Sequence, residues 1–205
     1  MKNRIHNVFL TVIITTFVMI SCDNNKLGIP KPRTYPRVDF PQKEYTLFDP
    51  VNCSFQFEVP VYSEVRNDRS YFKNKAPNDC WYNILFKKFN GNLYLTYYPI
   101  TNKKDFDKLI NDSFTLVSKH DIKASGRKEI KIHNRHNASG ILFNIEGDVA
   151  SQTQFFITDS TSNFIRGSLY FRNKVNNDSM KIIQDFIDED IHHLIETFSW
   201  KNKKD

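Results

Sequence analysis

The chain has 205 residues, a formal net charge of +6 and 18 Phe, which supply bulky apolar volume for a core. Residues 1–21 contain Lys2, Arg4 and no acidic residue, so the chain without them carries a net charge of +4. That excess is scattered among acidic residues and no recognition motif accompanies it, which argues against a nucleic-acid-binding protein. The remaining length suits one domain with a full core.

The N-terminus has the parts of a bacterial export signal. Lys2 and Arg4 precede an apolar stretch at residues 8–20, which as a helix would cover about 20 Å, less than the ~30 Å hydrocarbon core of a bilayer. Ser21 and Cys22 end the stretch, and MISC at 19–22 resembles a lipobox. We therefore expect residues 1–21 to be removed and Cys22 to carry a diacylglyceryl group and an acyl chain such as palmitate. An ordinary signal peptide and an uncleaved anchor are the alternatives.

Residues 22–41 follow as a proline-rich tether. Four prolines in this segment oppose helix formation and favour extended backbone: Pro30, Pro32, Pro36 and Pro41. The segment either forms a free stalk or packs partly on the domain through Tyr35, Val38 and Phe40. We expect residues 42–205 to form a single globular domain.

Two cysteines remain beyond Cys22. Cys53 and Cys80 are not spaced as a CxxC motif, and no further ligands stand at zinc spacing. In an exported chain an even remainder favours a disulfide, and two separately buried thiols are the alternative.

The first half of the domain reads as strands followed by a helix. Residues 54–60 alternate apolar and polar side chains, and residues 80–89 and 93–100 flank the hairpin signal Asn90-Gly91. The polar residues 62–79 read as a long excursion. Residues 103–119 carry apolar side chains at helical spacing, namely Phe106, Leu109, Ile110, Phe114 and Val117.

The second half also reads as strands followed by a helix. Strands are predicted at 130–133, 139–145, 150–158 and 163–172, and a helix at 177–200 with Asp188, Glu189 and Asp190 on its water side. The order is β-β-β-α-β-β-β-β-α. Hairpin connections dominate, so we expect an α+β fold with a mostly antiparallel sheet flanked by two helices.

Several long segments together resemble one family. Behind the lipobox stand IPKPRTYPRVDFP, CSFQFEVP, CWYNILF, NLYLTYYPI, ASQTQFFITDSTSNFIRGSLYF and DEDIHHLIETFSW. In this order they resemble the gliding motility lipoprotein GldD family of the Bacteroidota, from about residue 28 to residue 200. The resemblance implies an accessory component of cell-surface gliding tied to type IX secretion, and it brings no established catalytic residues. The order of elements also resembles the Mog1/PsbP-like sandwich, an analogy of fold alone.

One polar stretch is a candidate binding face. On a strand, Gln152, Gln154 and Thr158 share one side, and Arg166 and Tyr170 on the next strand extend it. The alternative is an ordinary solvent face with cross-strand hydrogen bonds.

Histidines and carboxylates on the last helix are weak metal candidates. Glu189–His192 and His193–Glu196 each share a face, but His192 and His193 lie about 100° apart around a helix, so the four do not converge. His133 and His136 stand at a strand end and turn without an acidic neighbour. No serine or cysteine nucleophile motif and no phosphate loop is present, so we expect no catalytic site, no metal and no cofactor.

These observations predict a lipid-anchored, exported, non-enzymatic scaffold or adaptor that binds other envelope proteins of the gliding and secretion machinery. The alternative is an envelope enzyme or a protein that binds a small ligand such as a glycan or lipid. We expect the periplasmic face of the outer membrane as its location, with the inner membrane as the alternative.

Overall fold

The computed structural model describes residues 38–71, 74–172 and 177–201. Within these residues there are twelve strands, two α-helices and two 3₁₀ turns. The strands of the first half are β1 Tyr45–Phe48, β2 Phe55–Pro60, β3 Glu64–Asn67, β4 Ser70–Tyr71, β5 Asn74–Lys75, β6 Tyr82–Phe86 and β7 Gly91–Pro99. The rest follow as α1 Lys103–Ser118, β8 Ala124–His133, β9 Ser139–Gly147, β10 Thr153–Thr158, β11 Asn163–Phe171, α2 Asn177–Thr197 and β12 Ser199–Trp200.

A seven-stranded antiparallel sheet organises the molecule, in the order β3-β6-β7-β11-β10-β9-β8. The hairpin between β6 and β7 pairs Phe86 with Gly91, as Asn90-Gly91 predicted. Asn90 has φ 53°, the left-handed conformation that Asn tolerates in tight turns. A three-stranded sheet, β1-β2-β12, forms a second element of the fold.

The two faces of the seven-stranded sheet bury different cores. On one face, α2 and β2 pack over the sheet through Ile187, Ile191, Phe55 and Phe57. On the other face, α1 covers Phe143, Phe156 and Phe164 with the apolar side chains that its helical spacing predicted. Because side chains alternate along a strand, β9, β10 and β11 each contribute to both cores. The layers are therefore α1, the seven-stranded sheet, and α2 together with the three-stranded sheet.

The predicted fold class is confirmed: the sheets are antiparallel and two helices flank the larger one. The predicted order of elements was incomplete, because the segment read as an excursion, residues 62–79, contains the strands β3, β4 and β5. Strand β8 begins at Ala124 rather than at residue 130. Helix α2 ends at Thr197, and the next residues form β12 against β2.

The end of the segment assigned to the tether packs on the folded body. Val38 contacts the core beneath α2, and the Phe40 ring lies 4.5 Å from the Phe186 ring and 5.7 Å from the Phe89 ring, between centroids. Of the two alternatives for this segment, packing holds for residues 38–41. Tyr35 and the rest of residues 22–37 lie outside the described residues.

Candidate functional site

The sheet face that packs on α1 carries most of the predicted binding residues. In the register of β10 and β11, Gln154 pairs with Ser168 and Phe156 pairs with Arg166. Phe156 packs in the core beneath α1, so alternation places Gln154, Arg166, Ser168 and Tyr170 on the same side of the sheet. The structure thus brings three of the five predicted residues, Gln154, Arg166 and Tyr170, to one region.

This face is less exposed than the sequence predicted. Gln154 is 0% exposed and Thr158 is 3% exposed, so neither belongs to a solvent face. Thr158 donates its hydroxyl to the Asn163 carbonyl at 2.8 Å, and Gln152 donates its amide to the Gly147 carbonyl at 3.1 Å. Gln152 and Thr158 therefore bond to turns at opposite ends of β10, and Gln154 lies in the interior.

A cavity of about 1040 Å³ opens between α1 and the strands β6, β7 and β11, and we call it the α1 cavity. Its lining includes Arg166 and Tyr170 from the predicted face. Aromatic side chains form much of the rest, namely Trp81, Tyr94, Tyr98 and Phe164. The Tyr94 and Tyr170 rings meet edge to face with centroids 5.7 Å apart, and Trp81 and Tyr98 do so at 5.6 Å. The sequence indicated Arg166 and Tyr170 but not the other aromatic residues of this site.

The charges around the α1 cavity balance. Its charged residues are Asp68, Asp105, Asp112, Lys108, Lys119 and Arg166, three of each sign. Those from residues 105 to 112 lie on α1 at spacings of three and four residues, which puts them on one side of the helix. The charged residues that line the α1 cavity therefore have a net charge of zero.

Arg166 occupies the side of the α1 cavity near the end of α1. Its guanidinium donates to the Gln154 carbonyl oxygen at 2.5 Å. Burial and, next, the nearby Arg166 cation lower the pKa of the His120 imidazole, which follows α1 directly. The bond to Arg166 fixes the orientation of the Gln154 amide, since only its oxygen can accept from a guanidinium.

Three polar atoms on this sheet face have no hydrogen-bond partner among the described residues. They are the Gln154 Nε2, the Ser168 Oγ and the Oδ1 of Asn92, the cross-strand neighbour of Tyr170. Ser168 is 4% exposed and lines the α1 cavity. A buried polar group without a partner costs about 1–3 kcal/mol, so unpartnered groups are uncommon in folded proteins.

The histidines proposed as weak metal candidates have different surroundings. The His193 Nε2 lies 2.6 Å from the Glu58 Oε2, and its ring stacks on Tyr45 with centroids 3.6 Å apart. His192 and Glu196 are exposed on α2. In residues 38–71, 74–172 and 177–201 no group of three His, Cys, Asp or Glu side chains is arranged to hold a metal ion.

The turn with His133 and His136 instead ends helix α2. The Asn134 amide donates to the carbonyls of Ile195 at 2.8 Å and Phe198 at 2.7 Å, and its oxygen accepts from the Ala138 N–H at 3.1 Å. These carbonyls would otherwise lack partners at the helix end.

The prediction that Asp188, Glu189 and Asp190 face water is wrong for Asp190, which is 2% exposed. Its Oδ1 accepts from the Lys43 Nζ at 2.8 Å and the Tyr45 hydroxyl at 3.0 Å, and its Oδ2 accepts from the Tyr62 hydroxyl. Burial, with the hydrogen bonds to Asp190, raises the pKa of both tyrosines. This network attaches the N-terminal part of the body to α2.

Asp188 is also partly enclosed. Its Oδ1 accepts from the Thr153 hydroxyl at 2.7 Å and the Gln184 amide at 2.9 Å. Burial raises the pKa of the Asp188 carboxyl against these two hydrogen bonds. Of the three acidic residues, Glu189 alone is exposed.

Cys53 and Cys80 are joined by a disulfide, with Cα atoms 5.7 Å apart. The bond connects the approach to β2 with the approach to β6, so it links the three-stranded sheet to the seven-stranded one. Cys22, the predicted lipidation site, lies outside the described residues. Among the described helices none has the length and apolar character needed to cross a bilayer.

The fold and site define an α+β domain with a polar, aromatic-lined cavity beneath one helix. A family model described as "Gliding motility lipoprotein GldD" matches residues 25–200. The chain belongs to this family, as the resemblance of its segments predicted. Membership makes it a gliding motility lipoprotein of the cell envelope.

Two further comparisons were made. A search of curated protein sequences gives no significant match. The chain is similar to the solution structure of cyanobacterial PsbP (CyanoP) from Synechocystis sp. PCC 6803, with 8% identity, a TM-score of 0.44, and coverage of 78% of this chain and 94% of that one. We base no argument on a similarity of this size.

Proposed function

We propose that the protein is a lipid-anchored, non-enzymatic adaptor of the gliding machinery, linked to type IX secretion, that binds other envelope proteins. The observation that carries this is the family match, which begins three residues after Cys22 and ends at Trp200, the last residue of β12. The match includes the proline-rich segment together with the whole domain. The match thus supports treating most of the tether and the domain as parts of one protein of this family.

The anchor is the first part of the proposal. We infer that Cys22 carries the lipid and that residues 22–37 lead from the membrane to the body. Several acyl chains on one cysteine hold a protein to a bilayer almost permanently. The periplasmic face of the outer membrane is the location we propose, with the inner membrane as the alternative outcome of a fractionation.

The attachment of residues 38–45 to α2 supports a role in which the anchor bears load. Phe40 packs on Phe186, and Lys43 and Tyr45 bind Asp190. A pull on the N-terminal segment therefore reaches α2 through buried contacts.

Replacement of Cys22 tests the anchor. In cells fed an alkyne-tagged palmitate, Cys22→Ala should lose the label and leave the membrane fraction, because no thiol remains to receive the diacylglyceryl group. Ser21→Ala keeps a small residue before the cysteine and should remain labelled. Continued labelling of the Cys22 variant would show that the lipid is attached elsewhere.

Crosslinking in living cells tests the adaptor role. Leu47, 58% exposed on the edge strand β1, is a suitable position for a photo-crosslinking amino acid, and exposed Lys104 on α1 is the comparison position. Edge strands with apolar side chains are common sites of protein association. We expect adducts with envelope proteins of the gliding and secretion machinery from Leu47.

Turnover of a glycan or lipid by the purified chain, or normal gliding and secretion in a deletion strain, would contradict the proposal.

A further inference from the structure

We propose that the α1 cavity is a binding site for a neutral oligosaccharide. The site lies on the opposite face of the seven-stranded sheet from α2 and residues 38–45, and the proposal does not depend on the adaptor role. Three features of the cavity carry it: unpartnered polar groups on the sheet face, aromatic walls, and a charged rim without net charge.

The sheet face offers hydrogen-bonding capacity that the described protein does not use. The Gln154 oxygen is taken by Arg166, so the free part of this amide is its N–H group. The Ser168 hydroxyl stands opposite it in the register of β10 and β11 and has no partner either. The Gln154 N–H can donate to a hydroxyl or amide carbonyl oxygen of a ligand, and the Ser168 hydroxyl can donate or accept.

The walls suit a ring with apolar faces. Trp81, Tyr94, Tyr98, Phe164 and Tyr170 line the α1 cavity. Pyranose rings present patches of C–H groups that pack on aromatic rings, while their hydroxyls reach polar side chains at the edges. Asn83, Asp68 and Arg166 lie within the same lining; Asn83 donates to the Asp68 carboxylate at 3.1 Å and Arg166 donates to Gln154, so protein partners hold these polar edges in place.

The charges argue against an anionic ligand. Three acidic and three basic residues border the α1 cavity, so a phosphate or polyuronate would meet as much repulsion as attraction. The same charged rim disfavours an acyl chain, which gains nothing from polar groups that must then lose water. A neutral ligand that both donates and accepts hydrogen bonds avoids these two costs.

The size of the α1 cavity favours more than one sugar ring. Its volume of about 1040 Å³ stands at the upper end of the roughly 300–1,000 Å³ range of small-molecule sites. The Gln154 and Ser168 polar atoms are covered in this structure, so a ligand that reaches them has to move a side chain.

Titrations of the full mature chain in detergent test the proposal. The probes are cellotetraose, chitotetraose and mannotetraose as neutral ligands, with tetragalacturonate and inorganic phosphate as anionic ones. Calorimetry measures binding, and tryptophan emission reports on the site, because Trp81 lines the cavity and the only other Trp in the chain is Trp200. We expect saturable binding of at least one neutral tetramer with Kd below about 1 mM, and no binding of the anions.

Two variants connect binding to the site. Ser168→Ala removes an unpartnered hydroxyl, so it should weaken binding roughly tenfold without lowering the midpoint of thermal unfolding. Tyr94→Ala removes part of the wall and should also weaken binding. Ser151→Ala is the matched control, a buried serine outside the cavity whose hydroxyl contacts the Thr153 carbonyl at 3.4 Å, and it should bind as the parent does.

Four results would overturn the proposal. The first is no saturable binding of any neutral tetramer at about 10 mM. The second is tighter binding of tetragalacturonate or phosphate, which would make this an anion site. The third is neutral binding that Ser168→Ala and Tyr94→Ala leave unchanged, which would place the sugar elsewhere. The fourth is an ordered water bonded to both Ser168 and Gln154 in a crystal of the sugar complex, which would show that these groups need no ligand.

Discussion

Asp190 is a buried carboxylate in the middle of a helix, and its partners come from the N-terminal part of the body. One partner is Lys43, whose ammonium binds Asp190 at 2.8 Å and the Phe186 carbonyl at 2.5 Å. The same ammonium lies 3.9 Å from the centre of the Phe186 ring. Removing one member of such a group leaves the others buried without their partner, which costs more than the intact group contributes.

Asp190→Ala is therefore expected to lower the free energy of unfolding by about 3 kcal/mol, because Lys43, Tyr45 and Tyr62 lose their common acceptor. Urea unfolding followed by circular dichroism at neutral pH measures this. Asp185→Ala is the control on the same helix: Asp185 is exposed and pairs with Lys181 at 3.0 Å, so its loss should cost no more than about 0.5 kcal/mol. Equal losses in the two variants would show that the Asp190 network contributes no more than a surface pair.

The three consecutive acidic residues 188–190 show that a sequence pattern does not predict which side chain is buried by distant partners. Three consecutive carboxylates on a helix usually face water, and nothing near them in the sequence offers a partner. The donors to Asp190 lie 128 to 147 residues away in the chain. A local sequence pattern carries no information about contacts between residues so far apart in the chain. The burial of Asp190 could therefore not be predicted from residues 188–190.

Among the elements, the β10–β11 hairpin depends on one turn residue. Asp159 accepts hydrogen bonds from the backbone N–H groups of Thr161 at 2.9 Å, Ser162 at 2.8 Å and Asn163 at 2.9 Å. Burial opposes ionisation of this carboxyl, but the hydrogen bonds outweigh it and hold the pKa of Asp159 below its ordinary value of 3.8. A lowered pKa means that the folded state favours the ionised form.

This direction sets the pH dependence of Asp159→Asn. The ionised carboxylate stabilises the fold fully above pH 3.8, the ordinary pKa, and this contribution is lost as the pH falls through the lower pKa of the folded state. We expect the variant to be less stable than the parent by about 1 kcal/mol at neutral pH and the difference to shrink as the pH falls below 3.8.

Urea unfolding of both proteins across this pH range provides the measurement. Asp148→Asn, at an exposed position between β9 and β10, should show no such trend. A difference between Asp159→Asn and the parent that stays constant with pH would mean that the charge of Asp159 plays no part.

The elements that the sequence predicted are those with a regular pattern in the nearby sequence. Alternation identified β2, the Asn90-Gly91 signal identified the hairpin of β6 and β7, and helical spacing identified α1 and α2. The missed strands are short or polar and owe their structure to distant partners: β1 pairs with β2, β3 with β6, and Ser199 of β12 with Gln56. Phe198 continues the helical period past the true end of α2, which Asn134 determines from another part of the chain.

The candidate site could be predicted in part for the same reason. Arg166 and Tyr170 share a face through simple alternation within β11, so the sequence placed them together. The aromatic walls were not predicted, because Trp81 and Tyr94 join them through the order of strands in the sheet. Sheet order is a property of the whole fold, which a reading of separate segments does not supply.

At the scale of the whole molecule, the two features on which the proposals rest lie on opposite faces of the seven-stranded sheet. Residues 38–45 and the Asp190 network lie on the α2 side of the seven-stranded sheet, and the α1 cavity lies on the other side. The layer that carries β1 and β2 is held to the large sheet by side-chain packing and by one covalent bond. That bond, Cys53–Cys80, closes a loop with a sequence separation of 27 that contains β2 and β3.

Loss of this bond should therefore loosen the connection between the two sheets. The chain-entropy model assigns a loop of this length about 3.5 kcal/mol, so Cys53→Ala with Cys80→Ala should lower the midpoint of thermal unfolding by roughly 7–14 °C. The parent in a strong reductant should match the double variant, because both lack the same constraint. Differential scanning calorimetry with and without reductant measures both effects. A parent whose midpoint is unchanged by full reduction would show that packing alone holds the layers together.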